Sequence, residues 1–151
     1  MHLQPVMTCE ELNIYLNEVF PQLNGPEHRD YTVTAVGPGT ATVQLMASDR
    51  HLRPGNTVSG PSLFTLADIG GYACVLSHVG REALAVTTNL NINFLRRPAP
   101  EDVLARGRIL KLGQRLAVGE VSLHGAEESP DSLVAHVTCT YSIPPRGTGG
   151  T

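Results

Sequence analysis

Val58-Ser59-Gly60-Pro61-Ser62-Leu63-Phe64-Thr65-Leu66-Ala67-Asp68-Ile69-Gly70-Gly71-Tyr72-Ala73-Cys74-Val75-Leu76-Ser77 is the most apolar stretch of the chain, and Asp68 is the one charge within it. Its polar residues do not gather on one side, so the spacing predicts a helix covered on nearly all sides. At roughly 100° per residue, Phe64, Gly71, Tyr72 and Val75 share a side with Asp68. Leu63, Leu66, Gly70, Ala73 and Cys74 form the opposite side. Two surfaces must cover such a helix, and a sheet on one side with a partner subunit on the other would do so. A lone buried carboxylate costs several kcal/mol, so chains seldom keep one without a partner or a task. Carboxyls in apolar settings make good bases or nucleophiles, which singles out Asp68 as a candidate for chemistry. The bland alternative is an ion pair with an arginine such as Arg53.

Upstream, Thr8 is a good N-cap and Glu11 completes a capping box, so a helix is predicted over about residues 8–20. Leu12, Tyr15, Leu16 and Val19 give it one apolar face, and Pro21 ends it. Tyr31 to Val36 and Ala41 to Met46 alternate around Gly37-Pro38-Gly39-Thr40 and read as a strand pair. Ser48 to Thr57 reads as a polar loop. Downstream, Ala85 to Leu95 alternates: Val86, Thr88, Leu90, Ile92 and Phe94 are expected on one face, Thr87, Asn89, Asn91 and Asn93 on the other. The three asparagines suit a hydrated face or a contact between dimers. Asp102 to Leu112 and Arg115 to His124 form a hairpin about Gly113-Gln114, and Leu133 to Ile143 a last strand. Strands gathered around one long helix, without βαβ alternation, imply an α+β fold with a curved antiparallel sheet. Residues 1–151 read as one domain, with a core over about 30–143 and a frayed tail over 144–151.

The bulk composition excludes several classes. Of 151 residues, 41% are hydrophobic and 17% charged, as in ordinary globular chains. The net charge of −3 argues against a dedicated nucleic-acid binder. Asp68 and the interior glycines argue against a membrane span. Cys9, Cys74 and Cys139 are odd in number and widely spaced, fitting neither a disulfide framework nor zinc, and His2, His28, His51, His78, His124 and His136 are scattered. The first 20 residues lack the cationic start of a secretory leader. No metal or cofactor is expected, and the protein is read as soluble and cytoplasmic. Gly-x-Ser-x-Gly, P-loop and Rossmann motifs are absent.

Ser59-Gly60-Pro61-Ser62-Leu63-Phe64-Thr65-Leu66-Ala67-Asp68 resembles the His-Gly-Gly-x-Leu-Phe-x-Leu-x-Asp signature of hotdog-fold acyl-CoA thioesterases of the phenylacetate-pathway (PaaI-like) type. Positions 60, 63, 64, 66 and 68 are identities. The likeness continues through Thr87 to Phe94 and the Leu112-Gly113-Gln114-Arg115 hairpin, and covers about residues 30 to 143. It implies a curved antiparallel sheet around one central helix, and hydrolysis of acyl-CoA or aryl-acyl-CoA thioesters. No cofactor is implied, and the sites lie between subunits of a homodimer or homotetramer. By position, it makes Asp68 the general base or nucleophile, Gly60 N–H the oxyanion donor and Thr87 the group that orients water. Ser59 stands where the family has His. Asn56 stands near the family's Asn, whose own position holds Arg53. Helix N-termini suit a developing oxyanion, although Gly60 could equally serve as a cap, and Thr87 as an ordinary strand residue. Gly60 and Asp68 lie about 10 to 12 Å apart along one helix, so two antiparallel helices from a dimer would be needed to bring such groups together. Phe64 and Tyr72 are candidates for an acyl pocket. Arg96, Arg97, Lys111 and Arg115 are candidates for coenzyme A phosphates, or are solvated strand-end charges. A non-catalytic acyl-CoA-binding module is the alternative, and a hotdog hydratase ranks last because Ala73 holds the place of its His.

Overall fold

The computed structural model describes residues 3–25 and 28–145. Helix α1 (Cys9–Val19) starts at the Thr8 cap, where Thr8 and Glu11 close the capping box in both directions. Leu12, Tyr15 and Leu16 turn inward from it. A short 3-10 turn, Pro21–Leu23, follows. Strands β1 (Tyr31–Gly37) and β2 (Thr40–Leu45) pair around the predicted turn, where Gly39 takes φ +70. The loop expected over Ser48 to Thr57 holds more order than its polarity suggested. It contains a 3-10 turn (Asp49–His51) and a two-residue hairpin, β3 (Leu52–Arg53) with β4 (Thr57–Val58). Such short pairings leave no periodicity to read.

Helix α2 (Gly60–Val79) is the long helix, capped by the Ser59 hydroxyl on the Ser62 N–H. Strands β5 (Val86–Phe94), β6 (Val103–Leu112), β7 (Leu116–Gly125) and β8 (Leu133–Ser142) follow. Six strands form one antiparallel sheet in the order β1-β2-β6-β7-β8-β5. Helix α2 lies on its inner face, as the hotdog resemblance implies. The expected tail from residue 146 onward lies outside the described residues.

Small residues set how closely α2 meets the sheet. A Cβ on Gly107 of β6 would lie 3.1 Å from both Cys74 Cβ and Gly70 O, and one on Gly70 3.1 Å from Ala105 Cβ. Leu63, Leu66 and Leu76 are fully buried at this contact, each contributing roughly 2 kcal/mol of burial. Helix α2 is long and apolar enough to cross a membrane, yet most of it is buried inside the protein. What stays open is a stripe of Pro61, Phe64, Thr65, Asp68 and Tyr72. Gly71 and Val75, expected beside Asp68, are buried at its margin.

The loop ahead of α2 is pinned by charge. Arg50 donates two hydrogen bonds to buried Asp30, at 2.8 and 2.6 Å, and the next residue's carbonyl, His51 O, accepts from Ser59 N–H at the helix start. Arg50 holds the Asp30 carboxyl below its ordinary range, outweighing the opposing effect of burial. A depressed carboxylate contributes stability above the unfolded-state value, and this is lost as pH falls through the folded one. We expect Arg50→Ala to destabilise the protein at pH 7, because the lowered Asp30 carboxyl loses its partner. The gap from wild type should close below about pH 4 when urea unfolding is followed across pH.

Candidate active site

Asp68 is half-buried on the open stripe of α2. Thr87 Oγ donates to its Oδ1 at 2.7 Å. The Tyr141 hydroxyl lies 2.9 Å from the same Oδ1 and 2.8 Å from Asp68 backbone O, sharing its single proton between them. Hydrogen bonds to a charged group are worth about 1.5–3 kcal/mol each, so the pair goes far toward offsetting loss of water. Arg53 is exposed on β3 and does not pair with Asp68. Among the described residues nothing bonds Oδ2.

Thr87 reaches Asp68 because β5 carries a bulge. Strand β8 pairs Tyr141 with Thr87 and Thr140 with Asn89, leaving Thr88 as an extra residue. Paired residues share a face, so Thr87, Leu90, Ile92 and Phe94 point inward with Tyr141, Cys139, Val137 and Ala135. The strict alternation read from the sequence had set Thr87 with the asparagines and Thr88 inward. The bulge corrects both assignments and also that of Val86, which was grouped with Leu90 and Ile92 but pairs with Ser142 on the other face; the Thr88 hydroxyl bonds Thr140 O.

A cleft of about 540 Å³ opens over this carboxylate, lined by Asp68, Thr87, Ile69, Tyr72, Val86, Ala83 and Ala85 from the core and by Val19, Phe20 and Gln22 from the N-terminal segment. Tyr72 donates to Ala83 O at 2.8 Å, and its ring meets Phe20 edge-on at 6.4 Å. Burial, helped by Tyr15, pushes the Tyr72 phenol up to about 12. It therefore lines the cleft as a neutral wall. Phe64 is 42% exposed, one turn nearer the helix start and outside this cleft.

The start of α2 forms a second group. Pro61 has no N–H, Ser62 N–H is capped by Ser59, and Leu63 N–H bonds Ser59 O. Gly60 N–H is thus the one free donor of this turn among the described residues. The Ser59 hydroxyl is engaged in that cap and with Ser62 Oγ at 3.0 Å. Asn56 sits at φ +56 beside Gly55 at φ +101, serving the turn, with its side chain exposed. Within one subunit this group stands about 12 Å along the axis from Asp68.

The basic candidates separate. Arg96 is committed to Glu128 and to Ser132 O. Arg97 lies near the helix start, its Nη1 3.6 Å from a Cβ built on Gly55. Arg115 shares the opposite end of α2 with His78 and Val79, donating to Ile143 O, and exposed Lys111 stands on the same hairpin. They do not form one patch within a subunit. Tyr141, Phe20, Ile69 and Val86 are site residues that sequence reasoning missed. Tyr141 reads as core from its alternation alone, and only the strand pairing brings it to Asp68.

Residues 55–132 match the model of the thioesterase superfamily. A provisionally designated esterase of Pseudomonas aeruginosa, PA0474, is 35% identical over 104 residues, 68% of this chain and 74% of that protein. A provisionally designated thioesterase of Silicibacter sp. TM1040 superposes with a TM-score of 0.84 at 48% identity, covering 95% of this chain and 96% of its own. A point mutant of the phenylacetic acid degradation protein PaaI from Thermus thermophilus gives 0.63 at 26% identity, covering 74% of this chain and 91% of its own.

Burial pushes the Cys74 thiol up to about 12, and burial with the Asp68 charge pushes Cys139 up to about 11. Neither is a nucleophile at neutral pH. Both should stay unreactive toward a disulfide reagent at pH 7.5 in native protein and react once urea unfolds it, as read by absorbance.

Proposed function

The chain belongs to the thioesterase superfamily, and from that premise we propose that it hydrolyses acyl-CoA or aryl-acyl-CoA thioesters to free acid and coenzyme A. The observation that carries this reading is the Asp68 carboxylate, tied by two hydroxyls at Oδ1, free at Oδ2 and facing a cleft with mostly apolar walls. In one course Asp68 takes a proton from water while the water oxygen bonds to the thioester carbon. In the other, Oδ2 itself bonds to that carbon, and water then cleaves the anhydride. In both, the carbon–sulfur bond breaks, its electron pair leaves with sulfur, and the thiolate gains a proton. Thr87 donates its O–H in a hydrogen bond to Asp68 and keeps lone pairs with which to accept from the attacking water.

Negative charge grows on the carbonyl oxygen, and a helix N-terminus with one unspent N–H suits it. Gly60 and Asp68 of one helix stand too far apart for one thioester, so the oxyanion donor is assigned to Gly60 of the partner subunit. Strand β5 supports a two-chain site: among the described residues its outer edge has no partner strand, and Val86 and Phe94 of this strand are 56% and 55% exposed. In a homodimer or homotetramer, Phe64 and Arg97, near the helix start, would serve the neighbouring copy's cleft and the nucleotide of coenzyme A. The three unpaired cysteines suit the cytoplasm as the place of reaction.

Asp68→Asn should fold and lose at least about a hundredfold in thiol release across a panel of acyl-CoA esters. Equal turnover by both proteins would remove Asp68 from the chemistry. Tight binding with no release by wild type would favour an acyl-CoA-binding module, a reading that Ser59 in place of the family His supports. Sedimentation at micromolar concentration is expected to give a dimer or larger, and a monomer would contradict the shared site.

A further inference from the structure

Behind Asp68, on the side away from the cleft, Tyr141 is 1% exposed. A buried phenol is costly unless its hydroxyl is bonded, and a core that needed only a ring would be served by Phe. Both acceptors of this hydroxyl belong to Asp68, one on the backbone and one on the side chain. Its seat is cut for it: a Cβ on Gly71 would lie 2.4 Å from the Tyr141 hydroxyl and 3.0 Å from the ring. Any other residue at 71 would push the hydroxyl off Asp68. Burial and the Asp68 charge raise the phenol above its ordinary value, so it remains a donor at any working pH. Pairing with Thr87 across β5 and β8 sets the two donors side by side.

We propose that Tyr141, seated opposite Gly71, is a positioning residue that holds the Asp68 carboxylate with Oδ1 tied back and Oδ2 turned to the cleft. It touches no part of the cleft and acts only through Asp68; the inference rests on the thioesterase reading above. Freed of this anchor, the carboxylate rotates, and reacting atoms drift from attack geometry. Drifts of this kind cost about ten- to a hundredfold in rate.

The test is steady-state thiol release by Tyr141→Phe and Gly71→Ala, alone and in the Asp68→Asn background, with thermal unfolding of each. Tyr141→Phe is expected to stay folded, to lose about tenfold or more in kcat, and to keep KM within about twofold. Gly71→Ala, whose methyl displaces the hydroxyl, should lose kcat comparably. In the Asp68→Asn background, Tyr141→Phe should change the residual rate by less than about twofold, because its route of action is gone. Wild-type kcat in Tyr141→Phe, while Asp68→Asn is inactive, would overturn the positioning role and leave the functional reading standing. Equal losses with and without Asp68 would mark a purely structural tyrosine and also overturn it. Full turnover by Asp68→Asn would overturn both.

Discussion

One carboxylate oxygen, Asp68 Oδ1, receives hydrogen bonds from two different strands, and the site's geometry depends on that convergence. A half-buried carboxylate with a single donor can rotate about its last torsion and exchange its oxygens. With Thr87 and Tyr141 both on Oδ1, the two oxygens become unequal: one accepts both hydroxyls and the other accepts none among the described residues. The anchor comes from the sheet, where the pairing of Thr87 with Tyr141 sets two hydroxyls at fixed spacing beside the helix.

Three local features make the convergence possible, one a break in strand register and two the absence of side chains. A bulge at Thr88 turns Thr87 inward, against the alternation of its strand. Gly71 leaves room for the Tyr141 hydroxyl where any side chain would collide. Gly70 on the helix and Gly107 on β6 let the two surfaces approach closely enough for these contacts to form. The first turn of the same helix spends its other donors on Ser59, so that among the described residues Gly60 N–H stands alone at the far end. On the proposed reading, a helix that carries its acid two turns from its free donor is half of a site, and the edge of β5, unpaired among the described residues, is the place for a second copy.

Much of this was legible in the residues. The order of helices and strands followed from clear periodicities, and Thr8 with Glu11 announced the first helix. Asp68 was conspicuous as a lone charge among apolar neighbours. What stayed hidden depends on relations across the chain. Tyr141 carries no local mark of function, since an inward tyrosine on a strand reads as core until its pairing with Thr87 is known. The facing of Thr87 was misread because a single inserted residue reverses every assignment beyond it. Arg96 looked like a free cation, yet Glu128, far along the chain, holds it. The cleft's Phe20 and Gln22 come from a segment that sequence spacing assigned only to a helix end.

The most direct measurement is a crystal structure of the protein bound to a thioether analogue of an acyl-CoA, in which the carbonyl is kept and sulfur cannot leave. The carbonyl carbon should lie about 3 to 3.5 Å from Asp68 Oδ2, or one water away, with its oxygen on Gly60 N–H of the partner subunit. Thr87 and Tyr141 should remain on Oδ1. An analogue seated with its carbonyl away from Oδ2, or an Asp68 turned so that either hydroxyl holds the oxygen nearest the substrate, would contradict the assignment.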